Sequence, residues 1–286
     1  MKDDHMKNGQ LKAGYNVQIG TEYPVWGTED QVVVGFSVHQ QAGDPGLLVP
    51  HLQQVKQWLG RLPGNIIADS AYGSEENYVY LEQEKVGSYL KCNTFHQEQK
   101  RRYVPNPFAI ENMSYDKEKD EFTCPNGQKL NYQSTHHYRT KNGFESERRV
   151  YECADCSQCP LKEKCTRAVG NRQAKVSFRL WELRAQARQN LLSEKGTQLR
   201  KERSVDVETV FGRVKQDWDF RRFMLRGMDK VKTEWGLLCI AHNITKMAVT
   251  YPTIFCLFVN YSFCRLFIPF HVSFETAPID FIFFPR

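Results

Sequence analysis

Asn65-Ile66-Ile67-Ala68-Asp69-Ser70-Ala71-Tyr72-Gly73 is the stretch on which the reading of this chain turns. An apolar run ends in a carboxylate, small residues and a glycine follow, and Ser74-Glu75-Glu76 opens the next element. The pattern predicts a buried strand that delivers Asp69 at its carboxyl end. In open α/β sheets ligands gather beyond the carboxyl ends of strands, so an acid there stands where chemistry is done. A solitary Asp in the same place also caps helices and makes turns. Only a second carboxylate can separate the two readings.

Outward from that strand, the pattern is regular. Downstream, residues 75–85 read as a helix and 86–91 as a further strand. Upstream, Leu47, Val49, Leu52, Val55 and Leu59 keep roughly helical spacing, closed by Gly60 and followed by Pro63-Gly64. Before them, residues 13–21 alternate, with Tyr15, Val17 and Ile19 on one face, and residues 31–39 form a second strand. The two are expected to pair as an antiparallel hairpin. The order β-β-α-β-α-β predicts a mixed-sheet α/β fold.

From about Asn93 the texture changes. Val104-Pro105-Asn106-Pro107 excludes regular structure, and Pro125-Asn126-Gly127 and Asn142-Gly143 punctuate short strand-like runs as hairpin turns. Residues 93–168 therefore read as a small β-hairpin-rich insertion between 1–92 and 169–249. In the last of these, 178–192 and 194–220 are basic amphipathic helices, the second carrying a stripe of Val207, Phe211, Val214 and Trp218. A final helix over 228–249 is expected to turn Val231, Trp235, Leu238 and Ala241 inward. Residues 250–286 read as an aromatic-rich tail; its apolar part, 254–270, is short for a bilayer span and contains Arg265, so no membrane partner is expected.

The chain has 286 residues with 41% hydrophobic and 25% charged, ordinary globular values that exclude wholesale disorder. Its net charge of +6 is uneven: residues 160–235 hold 19 Lys and Arg against 10 Asp and Glu. Concentrated basic charge suggests a polyanion, nucleic acid first, although a solvated helix face has the same composition. The first twelve residues are polar, so no signal peptide is expected and a cytoplasmic location follows.

Nine cysteines in such a chain point away from a disulfide framework. Cys153, Cys156, Cys159 and Cys165 are clustered, and Cys124 sits on a separate turn. A coreless insertion needs a staple, and tetrahedral thiolate coordination of structural Zn²⁺ supplies one. The expected ligands are Cys124, Cys156, Cys159 and Cys165, with Cys153 the extra thiol; buried free cysteines are the bland alternative. Cys92, Cys239, Cys256 and Cys264 read as core residues.

The second carboxylate is Glu208, beside the apolar stripe of its helix. Val207-Glu208-Thr209-Val210-Phe211-Gly212-Arg213-Val214-Lys215 resembles the signature around the catalytic glutamate of DDE-type insertion-sequence transposases. The resemblance continues through Arg222-Phe223, Arg226-Gly227 and Glu234-Trp235-Gly236-Leu237-Leu238-Cys239-Ile240-Ala241-His242-Asn243. Upstream it takes in Ala68-Asp69-Ser70-Ala71-Tyr72-Gly73 and Gly14-Tyr15-Asn16-Val17-Gln18, and the cysteine cluster is similar to an insertion carried by one branch. The resemblance implies a ribonuclease H-like core with flanking helices, two divalent ions (Mg²⁺ or Mn²⁺) held by three carboxylates, and DNA cleavage and strand transfer between transposon ends and target.

Carried over, Asp69 and Glu208 would be catalytic metal ligands. Lys215 would contact DNA phosphate, as would Arg203, beside the position of the signature's arginine, and Arg213 and Arg222. A homo-oligomer and a place on the prokaryotic nucleoid are part of the same expectation. The family's first Asp lies on a strand before the Gly-Tyr-Asn segment. Asp3, Asp4, Asp30 and Asp44 offer no counterpart in a strand, so impaired catalysis is expected. A non-catalytic DNA-binding remnant is the alternative.

Overall fold

The mixed sheet expected around Asp69 is present, together with one strand that the pattern of the chain did not predict. The computed structural model describes residues 2–3, 11–12, 14–22, 31–41, 43–250 and 280–285; for 2–3, 11–12, 204–208, 250 and 280–285 it describes the backbone alone. In chain order the elements are β1 (Lys2–Asp3), β2 (Leu11–Lys12), β3 (Asn16–Glu22), β4 (Val32–His39), α1 (Leu48–Leu59), β5 (Asn65–Ala68), α2 (Glu75–Gln83) and β6 (Gly87–Leu90). There follow α3 (Phe95–Glu98), β7 (Ser114–Asp116), β8 (Glu121–Thr123), β9 (Lys129–Arg139), β10 (Glu145–Cys153), α4 (Lys162–Cys165) and β11 (Gln173–Val176). The last are α5 (Phe178–Leu192), α6 (Glu194–Gly212), α7 (Met228–Thr250) and β12 (Asp280–Pro285). The chain divides into two units, one of 1–92 with 186–286 and one of 93–185.

The first unit is built on a five-stranded sheet in the order β4-β3-β12-β5-β6. The expected β3–β4 hairpin is antiparallel, and β5 and β6 are parallel. Between these pairs lies β12, antiparallel to β3 and parallel to β5. Its six residues are thus no part of a separate tail; they close the centre of the sheet. The aromatic stretch 254–270, with Cys256 and Cys264, lies outside the described residues.

Because β3 has a strand on each side, its residues from Asn16 to Thr21 are all buried, and the polar Asn16 and Gln18 need partners inside. Helix α1 packs Leu48, Leu52 and Val55 onto the sheet. A Cβ on Gly35 of β4 would lie 2.6 Å from Val55 Cγ2, so only glycine admits this approach.

Helix α7 covers the outer strand. Asn243 accepts from Val33 N–H at 2.9 Å and donates to Val33 C=O at 2.8 Å, and His242 Nε2 meets Gln31 C=O at 3.1 Å. A side-chain amide thereby takes the ladder position that an edge strand leaves open. The buried face of α7 runs through Val231, Trp235, Cys239 and His242. This corrects the expected inner face: Leu238 is half-buried and Ala241 exposed, because the helix turns 3.6 residues at a time and it is His242 that turns inward, to Gln31 just before β4. Among the described residues, no helix is long and apolar enough to cross a membrane.

The second unit is an antiparallel sheet, β11-β10-β9-β8-β7, in which each strand pairs with its sequence neighbour. Its core is aromatic: Phe122 and Tyr151 are fully buried with Leu130, and Tyr115, Phe178 and Trp181 pack against them. The two tyrosine hydroxyls donate to Asp120 Oδ1 at 2.7 Å (Tyr115) and 2.6 Å (Tyr151), and Arg149 closes on the same carboxylate at 3.2 Å. Buried phenols require such an acceptor. The β9–β10 turn uses Gly143 at φ 87°, where Asn-Gly was read as a turn.

Candidate active site

Asp69 follows the last residue of β5, at the carboxyl end of the parallel pair β5–β6. It caps a short turn over Ser70–Tyr72, accepting from Ser70 N–H at 2.7 Å through Oδ1. Its other oxygen is 3.6 Å from the Arg203 guanidinium of α6. The two side chains differ in access: Arg203 is 4% exposed and Asp69 is 38% exposed. Arg203, read from sequence as a DNA contact, is therefore enclosed beside the acid. Lys91, just beyond β6, is buried in the same neighbourhood. Burial, then repulsion from Arg203 and Arg200, lowers its ammonium to about 8, with Asp69 working the other way.

A second acid reaches this end of the sheet by a relay. Tyr72, fully buried, donates its hydroxyl to Gln18 Oε1. The Gln18 amide donates to Asn16 Oδ1 at 2.8 Å and to Asp44 Oδ1 at 3.3 Å, and Asn16 donates to the same Asp44 oxygen at 2.7 Å. Burial raises the Tyr72 phenol well above its ordinary value, and the Asp44 and Asp69 charges push the same way. Asp44, which looked like a turn residue, is thus anchored to β3. The signal that could have found it was the pair Asn16 and Gln18, polar residues alternating with Tyr15, Val17 and Ile19 on a strand.

Glu208 lies on α6, five residues after Arg203, or about 7.5 Å farther along the axis at 1.5 Å per residue. Its backbone is described and its side chain is not. The helix is held at the sheet by the Arg203–Asp69 pair and by buried Val210, Phe211 and Val214; Trp218 of the expected stripe is half-buried, and the Val207 side chain lies outside the described residues. After Gly212 the helix widens, with Trp218 N–H reaching back five residues to Arg213 C=O. Such a wide turn is often found near functional positions. On it Lys215 is exposed, its ammonium 5.4 Å over the Phe211 ring, and Arg213 is half-buried. Arg222 is exposed on the following loop.

The motifs that resembled one family also meet in space. Phe223 packs on Tyr15, with ring centroids 5.7 Å apart, and on Trp235 at 6.2 Å. Glu234 accepts from Met224 and Leu225 N–H at 2.9 and 3.1 Å, fixing the Arg222–Gly227 loop.

As metal donors, Asp69 and Asp44 offer the hard oxygens that divalent ions prefer. Among the described residues, no group of three or more His, Cys, Asp or Glu side chains stands ready to hold a metal ion. In the second unit, Cys124, Cys153, Cys156, Cys159 and Cys165 line one small cavity with Arg172. There Cys153 donates to Asp155 C=O at 3.7 Å, while the Arg172 guanidinium lies 3.1 Å from Cys165 Sγ. Burial pushes the Cys153 thiol up to about 12, helped by Cys156. Cys92 and Cys239 are buried in the first unit, as expected of core residues.

Residues 123–248 match the family model of the transposase DDE domain. No curated protein and no solved structure matches the chain. The matched segment, which takes in the cysteine cluster, α6 with Glu208 and most of α7, is similar to the C-terminal part of a DDE-type transposase domain.

Proposed function

We propose that the chain binds DNA through a ribonuclease H-like core whose Asp69 and Glu208 are the metal ligands of transposon-end cleavage and strand transfer. The observation that carries this reading is Asp69 at the carboxyl end of β5, tied by Arg203 to the helix that bears Glu208. Divalent ions, when bound, activate the attacking oxygen and stabilise the leaving one. The chain's own groups do the rest. Arg203 and Lys91 balance and orient the Asp69 carboxylate from the protein side, leaving its exposed side for the ion. Exposed Lys215 and Arg222, with half-buried Arg213, meet phosphates. Arg203 is better placed to position Asp69 than to touch DNA.

Impaired catalysis has support in the register of β12. Ile282 lies opposite Ile67 on parallel strands, so Phe283 and Phe284 stand level with Ala68 and Asp69. The strand beside Asp69 thus brings no carboxylate to that level, and Asp280 lies at the far end, opposite Asn65. This favours, as a second reading, a chain that binds DNA without cutting it.

For the cysteine cavity we propose structural Zn²⁺ on Cys124, Cys156, Cys159 and Cys165, with Cys153 turned to Asp155. Thiol chemistry and convergence on one cavity support this, and metal analysis of the purified protein tests it.

The deciding experiment incubates the full chain with DNA and Mn²⁺ over a range of salt. Salt-sensitive binding with little or no nicking, unchanged in Asp69→Ala and Glu208→Ala, is expected if catalysis is lost. Nicking abolished by either substitution would establish a working centre and remove the impairment. Absence of DNA binding at low salt would overturn the whole reading.

A further inference from the structure

The cysteine cavity of the second unit is gripped by a segment outside the cysteine motif, Asn171-Arg172, which follows the last cysteine of the cluster and leads into β11. Its backbone continues the β10–β11 ladder, with Cys153 N–H donating to Arg172 C=O at 2.9 Å. Arg172 N–H donates in turn to Cys156 Sγ at 3.5 Å. The Asn171 side chain accepts from Cys156 N–H at 2.9 Å and donates to Ala154 C=O at 3.2 Å. Backbone and side chain together thus hold the turn from Cys153 to Cys156.

The Arg172 side chain reaches the other end of the cluster. Nη1 donates to Cys165 C=O at 2.5 Å and to Cys165 Sγ at 3.1 Å, and Nη2 donates to Phe108 C=O at 2.6 Å. One residue therefore joins Cys156, Cys165 and the loop before β7. Arg172 is half-buried and its Nε is enclosed without an acceptor; its other guanidinium nitrogens meet carbonyl oxygens and a sulfur, with no carboxylate among the described residues. An enclosed cation calls for counter-charge. Neutral thiols do not supply it, whereas Zn²⁺ held by four thiolates keeps a net negative charge. N–H groups aimed at sulfur also favour the thiolate, the form that binds metal. The cluster is divided accordingly. The sulfurs of Cys156 and Cys165 accept hydrogen bonds, while Cys153 Sγ donates its own to Asp155 C=O at 3.7 Å.

We propose that Arg172 is the positioning residue of the zinc site: it fixes Cys156 and Cys165, and its guanidinium offsets the charge of the metal-bound thiolates. The proposal rests on the reading of this cavity as a structural zinc site and names the residue outside the thiol set on which metal retention depends.

The test is competition for Zn²⁺ between the full chain and a chromophoric chelator, with Co²⁺ substitution as a second readout. Arg172→Ala is expected to weaken Zn²⁺ binding about ten- to hundredfold, the usual cost of losing a group that orients a metal ligand. In the Co²⁺ form, its thiolate-to-metal absorption should move to longer wavelength, because a sulfur relieved of its N–H donor gives up charge more readily. A contact that only braced the loop would leave that band in place. Arg172→Lys keeps the charge but loses the planar fork, so both readouts should fall between wild type and Arg172→Ala. Circular dichroism checks the fold of each variant. Unchanged Zn²⁺ affinity and Co²⁺ absorption would overturn the role of Arg172 while leaving the zinc site standing, and where Arg172→Ala does not fold, an unchanged Arg172→Lys has the same meaning. A wild-type chain that takes up neither Zn²⁺ nor Co²⁺ would overturn the zinc reading itself, and this proposal with it.

Discussion

The two units solve the same problem, burying a five-stranded sheet, from opposite ends of the sequence scale. In the 93–185 unit every strand pairs with its neighbour in the chain, and the core is a handful of aromatic rings around Phe122 and Tyr151. In the other unit the sheet is completed by β12, paired with β3 and β5 from more than two hundred residues away. The local unit depends on a few large side chains; the long-range unit depends on one strand arriving. Loop-closure entropy makes the second kind of contact slow to form, even though its cost grows only slowly with length.

The sharpest way to test this contrast is to damage each unit at its centre. Phe122→Ala should cost about 3–5 kcal/mol, the usual toll for emptying a buried aromatic site. Amide exchange should show that loss in β7 to β11. Ile282→Pro removes a ladder N–H from a strand paired on both sides, and the buried acceptor left without a donor costs about 1–3 kcal/mol. Its exchange losses should fall in β3 and β5 and spare β8 to β10. If both variants loosen all strands alike, the units fold as one body and the contrast is broken.

Acid separates them more gently. His51 of α1 is fully buried against Ser37 of β4, and burial, with the neighbouring His39, lowers it to about 3. His242 is lowered to about 4, mainly by burial. Both are neutral in the fold and gain a proton on unfolding once the pH falls below about 6.5. Stability of the first unit is therefore whole above that pH. It drains as pH falls toward the folded values, by up to about 1.4 kcal/mol per pH unit for each group. In the second unit, burial of Asp120 works against its charge, but the hydrogen bonds of Tyr151 and Tyr115 and the charge of Arg149 win and lower its carboxyl. That contribution is present above the ordinary carboxylate value and is lost only below it. Denaturant midpoints followed at pH 7, 5.5 and 4.5 should fall earlier for probes in β3 to β6 than for probes in β8 to β10. Equal falls would show that these histidines do not govern acid sensitivity.

What could be read in advance follows the same divide. The hairpins, α1, α2, α5 and the 65–69 strand were visible because periodicity and turn residues are local. Strand β12 was not: Asp280-Phe281-Ile282-Phe283-Phe284-Pro285 has no alternation, since a strand flanked on both sides shows only a hydrophobic run. The same blindness affected the site. Asp69 announced itself by ending a strand, whereas Lys91 and Asp44 joined it through tertiary packing. Arg203 looked like one more cation on a basic helix, because sequence shows a helix's charges without showing which of them is turned inward.

The position of β12 also sets a timetable. As the chain is synthesised, the second unit has all its strands once residue 176 has been made. The first unit has β3 to β6 by residue 90 but cannot close its sheet until residue 285 exists. At roughly 5–20 residues per second, its two strand pairs stand apart for roughly 10–40 s. For that time, the nascent protein exposes open strand edges although its 93–185 unit is already complete, and it is there that a chaperone or a wrong strand has its opportunity.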